Sequence, residues 1–150
     1  MLMQRVQSAV CSDMKQYISH SLEETERIAA EIASTLKGDE VVAMFGGLGV
    51  GKTSFTRGFA AELGFTQGVH SPTFAIVNEY QGGKFPIYHF DMYRVMDEDD
   101  LYSTGFYDYL GNGVLIIEWS ENIMDYIPED SIRIEISYGE DENSRVITVK

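Results

Sequence analysis

The chain is poor in basic residues and has a single cysteine, and each of these scarcities excludes a class of protein. Eleven Lys and Arg stand against 24 Asp and Glu, so the formal net charge is −13. Such a surface does not neutralise the phosphates of a nucleic acid strand, and we expect no strong direct binding to nucleic acid. Cys11 alone excludes an internal disulfide and a cysteine-based zinc site, and it favours a reducing, cytoplasmic compartment.

Long apolar runs are also missing. The first twenty residues include Arg5, Asp13 and Lys15, and they predict neither a signal peptide nor a membrane helix. A length of 150 residues with 44% hydrophobic content is that of one domain with one core. We therefore predict a single domain over 1–150, in which residues 1–17 have no clear pattern beyond an open possibility of one short strand.

One dense motif stands out, in which four glycines precede a lysine and a threonine. Residues 46–53 read Gly-Gly-Leu-Gly-Val-Gly-Lys-Thr, which matches the phosphate-binding pattern G-x-x-x-x-G-K-[ST]. The apolar run 41–45 predicts a buried strand before the motif, and 54–63 predicts a helix after it. In this order, backbone N–H groups and the helix N-terminus surround phosphate oxygens. The motif therefore predicts a nucleoside triphosphate site.

Within this site, Lys52 is predicted to reach the β- and γ-phosphates and to be catalytic, and Thr53 to place its hydroxyl on Mg²⁺. A second loop, Ser71-Pro72-Thr73, could form a switch that senses the γ-phosphate, with an ordinary proline turn as the alternative. The predicted nucleotide contacts are Gly46, Gly47, Leu48, Gly49, Val50, Gly51, Lys52, Thr53, Ser54 and Thr73.

Two predicted strands end in an acid. Residues 85–91 end in Asp91 and residues 114–118 end in Glu118, and we expect both acids at the edge where parallel strands present a ligand crevice. Both are predicted to be catalytic and metal-side residues. Asp91 is assigned to the Mg²⁺ shell and Glu118 to the attacking water, with the reverse assignment left open. His89 could orient Asp91, or it could be a structural histidine.

The type of nucleotide follows from missing elements. A GTPase of the Ras type carries N-K-x-D, but residues 122–125 lack the Lys, and residues 91–94 lack the Gly of the Asp-x-x-Gly element. ATP is therefore favoured. A small-molecule kinase is less favoured because no arginine-bearing lid is visible, and a nucleotide-binding interaction module without turnover remains an alternative.

The remaining pattern predicts an α/β fold of the P-loop NTPase type, with three layers and a mixed parallel and antiparallel sheet. A capping box at Ser21–Glu24 predicts a helix that ends at Gly38, and Asp97 predicts the start of a short one. Hairpins are predicted from the strand pairs 73–80 with 85–91 and 131–138 with 144–149, and a short helix over 120–126.

Over roughly residues 18–138, the chain resembles the TsaE family of bacterial ATPases, also called YjeE. The resemblance rests on five segments: Ser21–Thr25, the glycine motif, Ser71–Phe74, Tyr88–Arg94 and Ile117–Trp119. It implies a domain that binds ATP and Mg²⁺, hydrolyses ATP slowly alone, and acts on the partner proteins TsaB and TsaD, which transfer threonylcarbamoyl to tRNA. It further implies that Glu118 and Trp119 form a second functional pair. We expect tRNA to be reached through the partners, with direct contact left open, and we expect no membrane partner.

Overall fold

The structure is a computed structural model, and it describes residues 4–7, 14–46, 51–65, 77–81 and 83–150. Its strands and helices in chain order are β1 Gln4–Gln7, β2 Lys15–Ser19, α1 Leu22–Ala33, β3 Val41–Phe45, α2 Lys52–Glu62, β4 Val77–Tyr80, β5 Ile87–Asp91, α3 Glu98–Ser103, α4 Phe106–Tyr109, β6 Val114–Glu118, β7 Ile132–Tyr138 and β8 Arg145–Val149, with a 3-10 segment at Ser120–Tyr126 between β6 and β7.

The eight strands form one sheet in the order β1-β2-β8-β7-β3-β6-β5-β4. The four central strands β7, β3, β6 and β5 are parallel, whereas β4 on one side and β8, β2 and β1 on the other pair antiparallel. The predicted mixed sheet and both predicted hairpins are confirmed.

Helices cover both faces of the parallel strands, which explains why β3 and β6 are buried throughout and, apart from Glu118, apolar. On one face, α1 and α2 pack Ile28, Phe55 and Phe59 against the sheet. On the other face, α3, α4 and the 3-10 segment contribute a second apolar cluster that includes Leu101 and Phe106. The fold is therefore the predicted three-layer α/β domain.

Local capping confirms two helix starts. The Ser21 hydroxyl accepts from the Glu24 N–H at 3.1 Å, and the Glu24 carboxylate accepts from the His20 N–H at 2.7 Å. The Asp97 carboxylate caps α3 by accepting from the Asp100 N–H at 2.8 Å. The predicted end of α1 is wrong by a few residues, because the helix stops at Ala33 and an irregular turn continues to Gly38.

Two elements differ from the sequence prediction, and a third is described only in part. The β1–β2 hairpin was not predicted, because it is completed by β8 from the other end of the chain and local periodicity does not show that pairing. α4 is only one turn long and follows Gly105, whose φ of 82° ends α3. β4 begins at Val77, and the first four residues of the predicted strand 73–80 lie outside the described residues.

Candidate functional site

The candidate site lies at the carboxyl edge of the parallel strands. Because β3, β5 and β6 run in the same direction, the residues that follow them emerge side by side. β3 leads into Gly46, and Asp91 at the end of β5 pairs in register with Glu118 at the end of β6. The structure thus brings together Gly46, the first residue of the glycine motif, and the two predicted acids.

The connection from β3 to α2 needs glycine at both of its described ends. Gly46 has a φ of 142° and Gly51 a φ of 104°, values that residues with a Cβ rarely adopt. Gly51 is also the N-cap of α2, and it offers no side chain to the first N–H groups of that helix. The predicted contacts Gly47, Leu48, Gly49, Val50 and Thr73 lie outside the described residues.

Lys52, the first residue of α2, is only 6% exposed. Its Nζ donates to the Gly46 carbonyl oxygen at 2.9 Å and lies 4.2 Å from the centroid of the Trp119 ring. The ammonium is thus held between a backbone carbonyl and the negative face of an indole. This places its positive charge at the strand edge near both acids.

Trp119 has an unusual backbone. Its φ of 60° makes it the one non-glycine residue with positive φ in the described part of the chain, a conformation that costs about 1–2 kcal/mol. The ring contacts Tyr93 with centroids 4.9 Å apart, in addition to Lys52. The family resemblance implies that Trp119 and Glu118 act as a pair, but no sequence signal indicates the strained backbone at Trp119.

Glu118 is buried, with 4% of the residue exposed, and its Oε2 lies 2.5 Å from the His89 Nε2. On the other side of the imidazole, the Tyr80 hydroxyl lies 3.5 Å from Nδ1. His89 therefore supports Glu118, whereas the sequence hypothesis paired it with Asp91. The reason is that β5 and β6 are adjacent, so His89 lies diagonally opposite Glu118 across the sheet.

Asp91 occupies a different environment. It is partly exposed, and its Oδ1 accepts from the Tyr93 N–H at 2.9 Å. Burial raises the pKa of the Asp91 carboxyl above its ordinary value despite that N–H, and the negative charge of Glu118 raises it further, while the positive charge of Lys52 opposes the rise. The Asp91 and Glu118 carboxylates therefore repel each other, and a divalent cation held at Asp91 would lessen that repulsion.

Several other hydroxyl and charged side chains lie near β3 and α2, and their positions differ. Thr53 and Ser54 lie in the first turn of α2 as predicted, partly buried and buried respectively. Glu121, which sequence reasoning missed, accepts from the Gly46 N–H at 3.0 Å. Arg57, in the middle of α2, pairs with Glu26 of α1 at 3.5 Å.

The residues present fit a magnesium nucleotide. Mg²⁺ is commonly held by one hydroxyl, one or two carboxylates and several waters, so Thr53 and Asp91 are a sufficient protein share. In the part of the chain that the structure describes, no group of three or more His, Cys, Asp or Glu could hold a metal alone. The buried Lys52 and the uncapped start of α2 are suited to phosphate oxygens.

This fold and site define a class: a three-layer α/β protein in which a glycine connection, a buried lysine and two strand-end acids meet at the carboxyl edge of a mixed sheet. The family model described as "Threonylcarbamoyl adenosine biosynthesis protein TsaE" matches residues 19–147. The chain therefore belongs to the TsaE family, as the resemblance indicated.

Relatives and a solved structure agree with this assignment. A protein named "tRNA threonylcarbamoyladenosine biosynthesis protein TsaE" from Bacillus subtilis is 42% identical over 84% of this chain and 80% of its own length. The protein of the same name from Aquifex aeolicus is 41% identical over 91% of this chain and 96% of its length. The crystal structure of Bacillus subtilis YdiB superposes with a TM-score of 0.73 at 34% identity, covering 99% of this chain and 86% of that one.

Helix length also bears on the membrane prediction. Among the described residues, the helices are too short and too polar to cross a bilayer.

Proposed function

We propose that this chain is a Mg-ATP hydrolase that supports the formation of N6-threonylcarbamoyladenosine in tRNA by acting on the TsaB–TsaD complex in the cytoplasm. The observation that carries the proposal is the buried ammonium of Lys52 at the strand edge where Asp91 and Glu118 lie side by side. Relatives that cover most of this chain bear names that place them in the same tRNA modification.

Each residue of the site has a role in this proposal. Lys52 and the N–H groups at the start of α2 bind the β- and γ-phosphates and stabilise the charge that develops during transfer. Thr53 and Asp91 hold Mg²⁺, which when bound neutralises phosphate charge. Glu118, buried and supported by His89, orients the attacking water and accepts its proton. Trp119 lies against Lys52, so nucleotide binding at Lys52 is expected to change its fluorescence.

The charge of the chain supports a role through protein partners. A formal charge of −13 opposes direct binding to the tRNA backbone. TsaB and TsaD are therefore proposed to contact the tRNA, while this chain supplies a nucleotide-dependent step that lets them repeat their cycle.

The test is phosphate release from Mg-ATP by the purified chain, alone and with TsaB, TsaD and tRNA. We expect the partners to stimulate release and Lys52→Ala to abolish it. Lys84→Ala is the matched control, because it removes an exposed lysine outside the site and should change nothing.

Two outcomes would overturn the proposal. Tight ATP binding with no release under any condition would indicate an interaction module without turnover. Transfer of the γ-phosphate to a small-molecule acceptor, with no response to the partners, would indicate a kinase.

A further inference from the structure

Three side chains form a line of contacts from the β4–β5 hairpin to Glu118, at the carboxyl edge of the parallel strands. Tyr80 on β4, His89 on β5 and Glu118 on β6 lie on three neighbouring strands, and each contacts the next. The His89 and Glu118 side chains are 1% and 6% exposed, so water does not compete for their 2.5 Å contact. Tyr80 is itself held by Phe65, which follows α2, with ring centroids 5.9 Å apart.

The chemistry of the three groups determines which nitrogen of His89 carries the proton. An ionised carboxylate can only accept a hydrogen bond, so Nε2 of His89 must donate to Glu118. A neutral imidazole then has Nδ1 as an acceptor, and the Tyr80 hydroxyl is placed to donate to it. Tyr80 thus favours the tautomer that Glu118 needs.

The consequence concerns the direction of the Glu118 carboxylate. A glutamate side chain has several rotatable bonds, and a carboxylate that must orient water works only when it is held in one geometry. The contact to His89 holds Oε2 and thereby limits rotation of the carboxyl group at the edge of the sheet. Asp91 has no equivalent need, because a backbone N–H within its own turn holds its Oδ1.

We propose that His89 is a positioning residue for Glu118 in ATP hydrolysis, and that Tyr80 acts behind it by selecting the His89 tautomer. This inference rests on the proposed hydrolase function. His89 acts through Glu118 and not on the nucleotide, so its loss should slow turnover and leave nucleotide binding intact.

Two amide substitutions at position 89 form a matched pair. His89→Gln retains an N–H donor at about the reach of Nε2, whereas His89→Asn is equally polar but one methylene too short to reach Glu118. We expect His89→Asn to lower kcat roughly tenfold to a hundredfold, with the KM for Mg-ATP unchanged, and His89→Gln to recover most of the rate. Equal losses in both variants, a raised KM or an unchanged kcat would overturn the proposal.

Tyrosine to phenylalanine changes provide a second matched pair. Tyr80→Phe removes the hydroxyl behind His89 and should lower kcat severalfold at constant KM. Tyr109→Phe removes a hydroxyl that donates to Glu79 on the same strand as Tyr80, at 3.0 Å, and should leave kcat unchanged. If both variants behave alike, Tyr80 has no special role and that part of the inference is wrong.

A measurement without nucleotide checks the tautomer directly. ¹⁵N NMR should show His89 protonated at Nε2 and unprotonated at Nδ1, with the signal assigned by its loss in His89→Gln. Tyr80→Phe should shift this signal toward the other tautomer. Protonation at Nδ1 in the parent protein would contradict the proposal whatever the activity.

Failure of this inference can be told from failure of the proposed function. If Lys52→Ala abolishes phosphate release while His89→Asn retains the full rate, the hydrolase function stands and the positioning role is wrong. If Lys52→Ala also retains release, the measured activity does not come from this site, and the proposed function is wrong.

Discussion

Charged side chains have different surroundings at the two ends of the parallel strands. At the amino end, Glu40 precedes β3, and its carboxylate accepts from the successive N–H groups of Lys37, Gly38 and Asp39 at 2.8, 2.9 and 3.1 Å. At the carboxyl end, the ammonium of Lys52 and the carboxylate of Glu118 are buried. At the amino end, backbone N–H groups bind a solvent-accessible carboxylate. At the carboxyl end, two charged side chains are buried away from water.

Because of this difference, we expect the two ends to contribute differently to stability and to function. Burying ionised groups and holding Trp119 at positive φ both cost free energy, and folds accept such costs where a site requires them. The amino end has no comparable cost. We therefore expect substitutions at the carboxyl end to reduce turnover more than stability, and substitutions at the amino end to do the reverse.

The largest expected effect is at Glu118. Glu118→Gln removes the proposed proton acceptor but keeps an oxygen for the His89 N–H, so we expect kcat to fall about a hundredfold or more. Because the change also removes a buried charge, the thermal midpoint should stay the same or rise. Glu129→Gln, an exposed site, is the control in both steady-state kinetics and thermal unfolding. A large loss of stability with normal kcat would contradict the expected difference between the two ends of the strands.

The matching change at the amino end is Gly113→Ala, just before β6. A Cβ there would lie 2.6 Å from the Pro86 carbonyl oxygen and 2.9 Å from the Tyr88 ring, so the backbone must shift. We expect the free energy of unfolding to fall by about 1–3 kcal/mol, with kcat of the folded protein unchanged. Urea unfolding measures the loss. Lys37→Ala, an exposed change at the same end, should alter stability by less than about 0.5 kcal/mol.

Asp91 tests whether the two acids share a role. Asp91→Asn should lower kcat about tenfold or more at low Mg²⁺, a loss that additional Mg²⁺ partly restores, because the amide is a weaker ligand. Glu118→Gln should show no such rescue. Titration of phosphate release with Mg²⁺, with exposed Asp125→Asn as the control, decides between the two assignments. Rescue of Glu118→Gln alone would establish the reverse assignment.

The smallest expected effect is the pH dependence at Glu40. Burial opposes ionisation, but the N–H groups of Gly38, Lys37, Glu40 itself and Asp39 together lower the pKa of this carboxyl below its ordinary 4.5. A lowered folded pKa stabilises the fold above the unfolded value, and this contribution is lost as pH falls through the folded pKa. The Glu40 side chain is partly exposed, so solvent screens its charge and we expect less than about 1 kcal/mol.

Glu40→Gln should therefore be less stable than the parent at neutral pH, and the difference should disappear in acid. Urea unfolding at a series of pH values measures this difference. A difference that grows as pH falls would contradict the sign of the linkage.

Much of the central fold could be predicted from local patterns. β3 and β6 read as short apolar runs because helices bury both of their faces, and Ser21 and Asp97 mark helix starts by side-chain chemistry alone. The β1–β2 hairpin could not be predicted in the same way, since β8 holds it from far along the chain. The short α4 has too few residues for a period to be visible.

In the candidate site, too, some features follow from local sequence signals and others depend on residues far apart in the chain. The residue types and their order along the chain identified Lys52, Asp91 and Glu118, because the glycine motif and the strand-end acids are local signals. Neither the Glu121 contact to Gly46 nor the hydrogen bond from His89 to Glu118 is local, since each joins residues on different elements.

By itself, then, the sequence determined the chemical groups of this protein and the strands and helices that carry them, because spacing, capping and apolar period act within a few residues. Only the tertiary structure decided which acid is buried, which one remains partly exposed, and which side chain supports each. Those properties depend on the order and register of β4, β5 and β6 in the sheet, and that register is set by packing between segments distant in the chain.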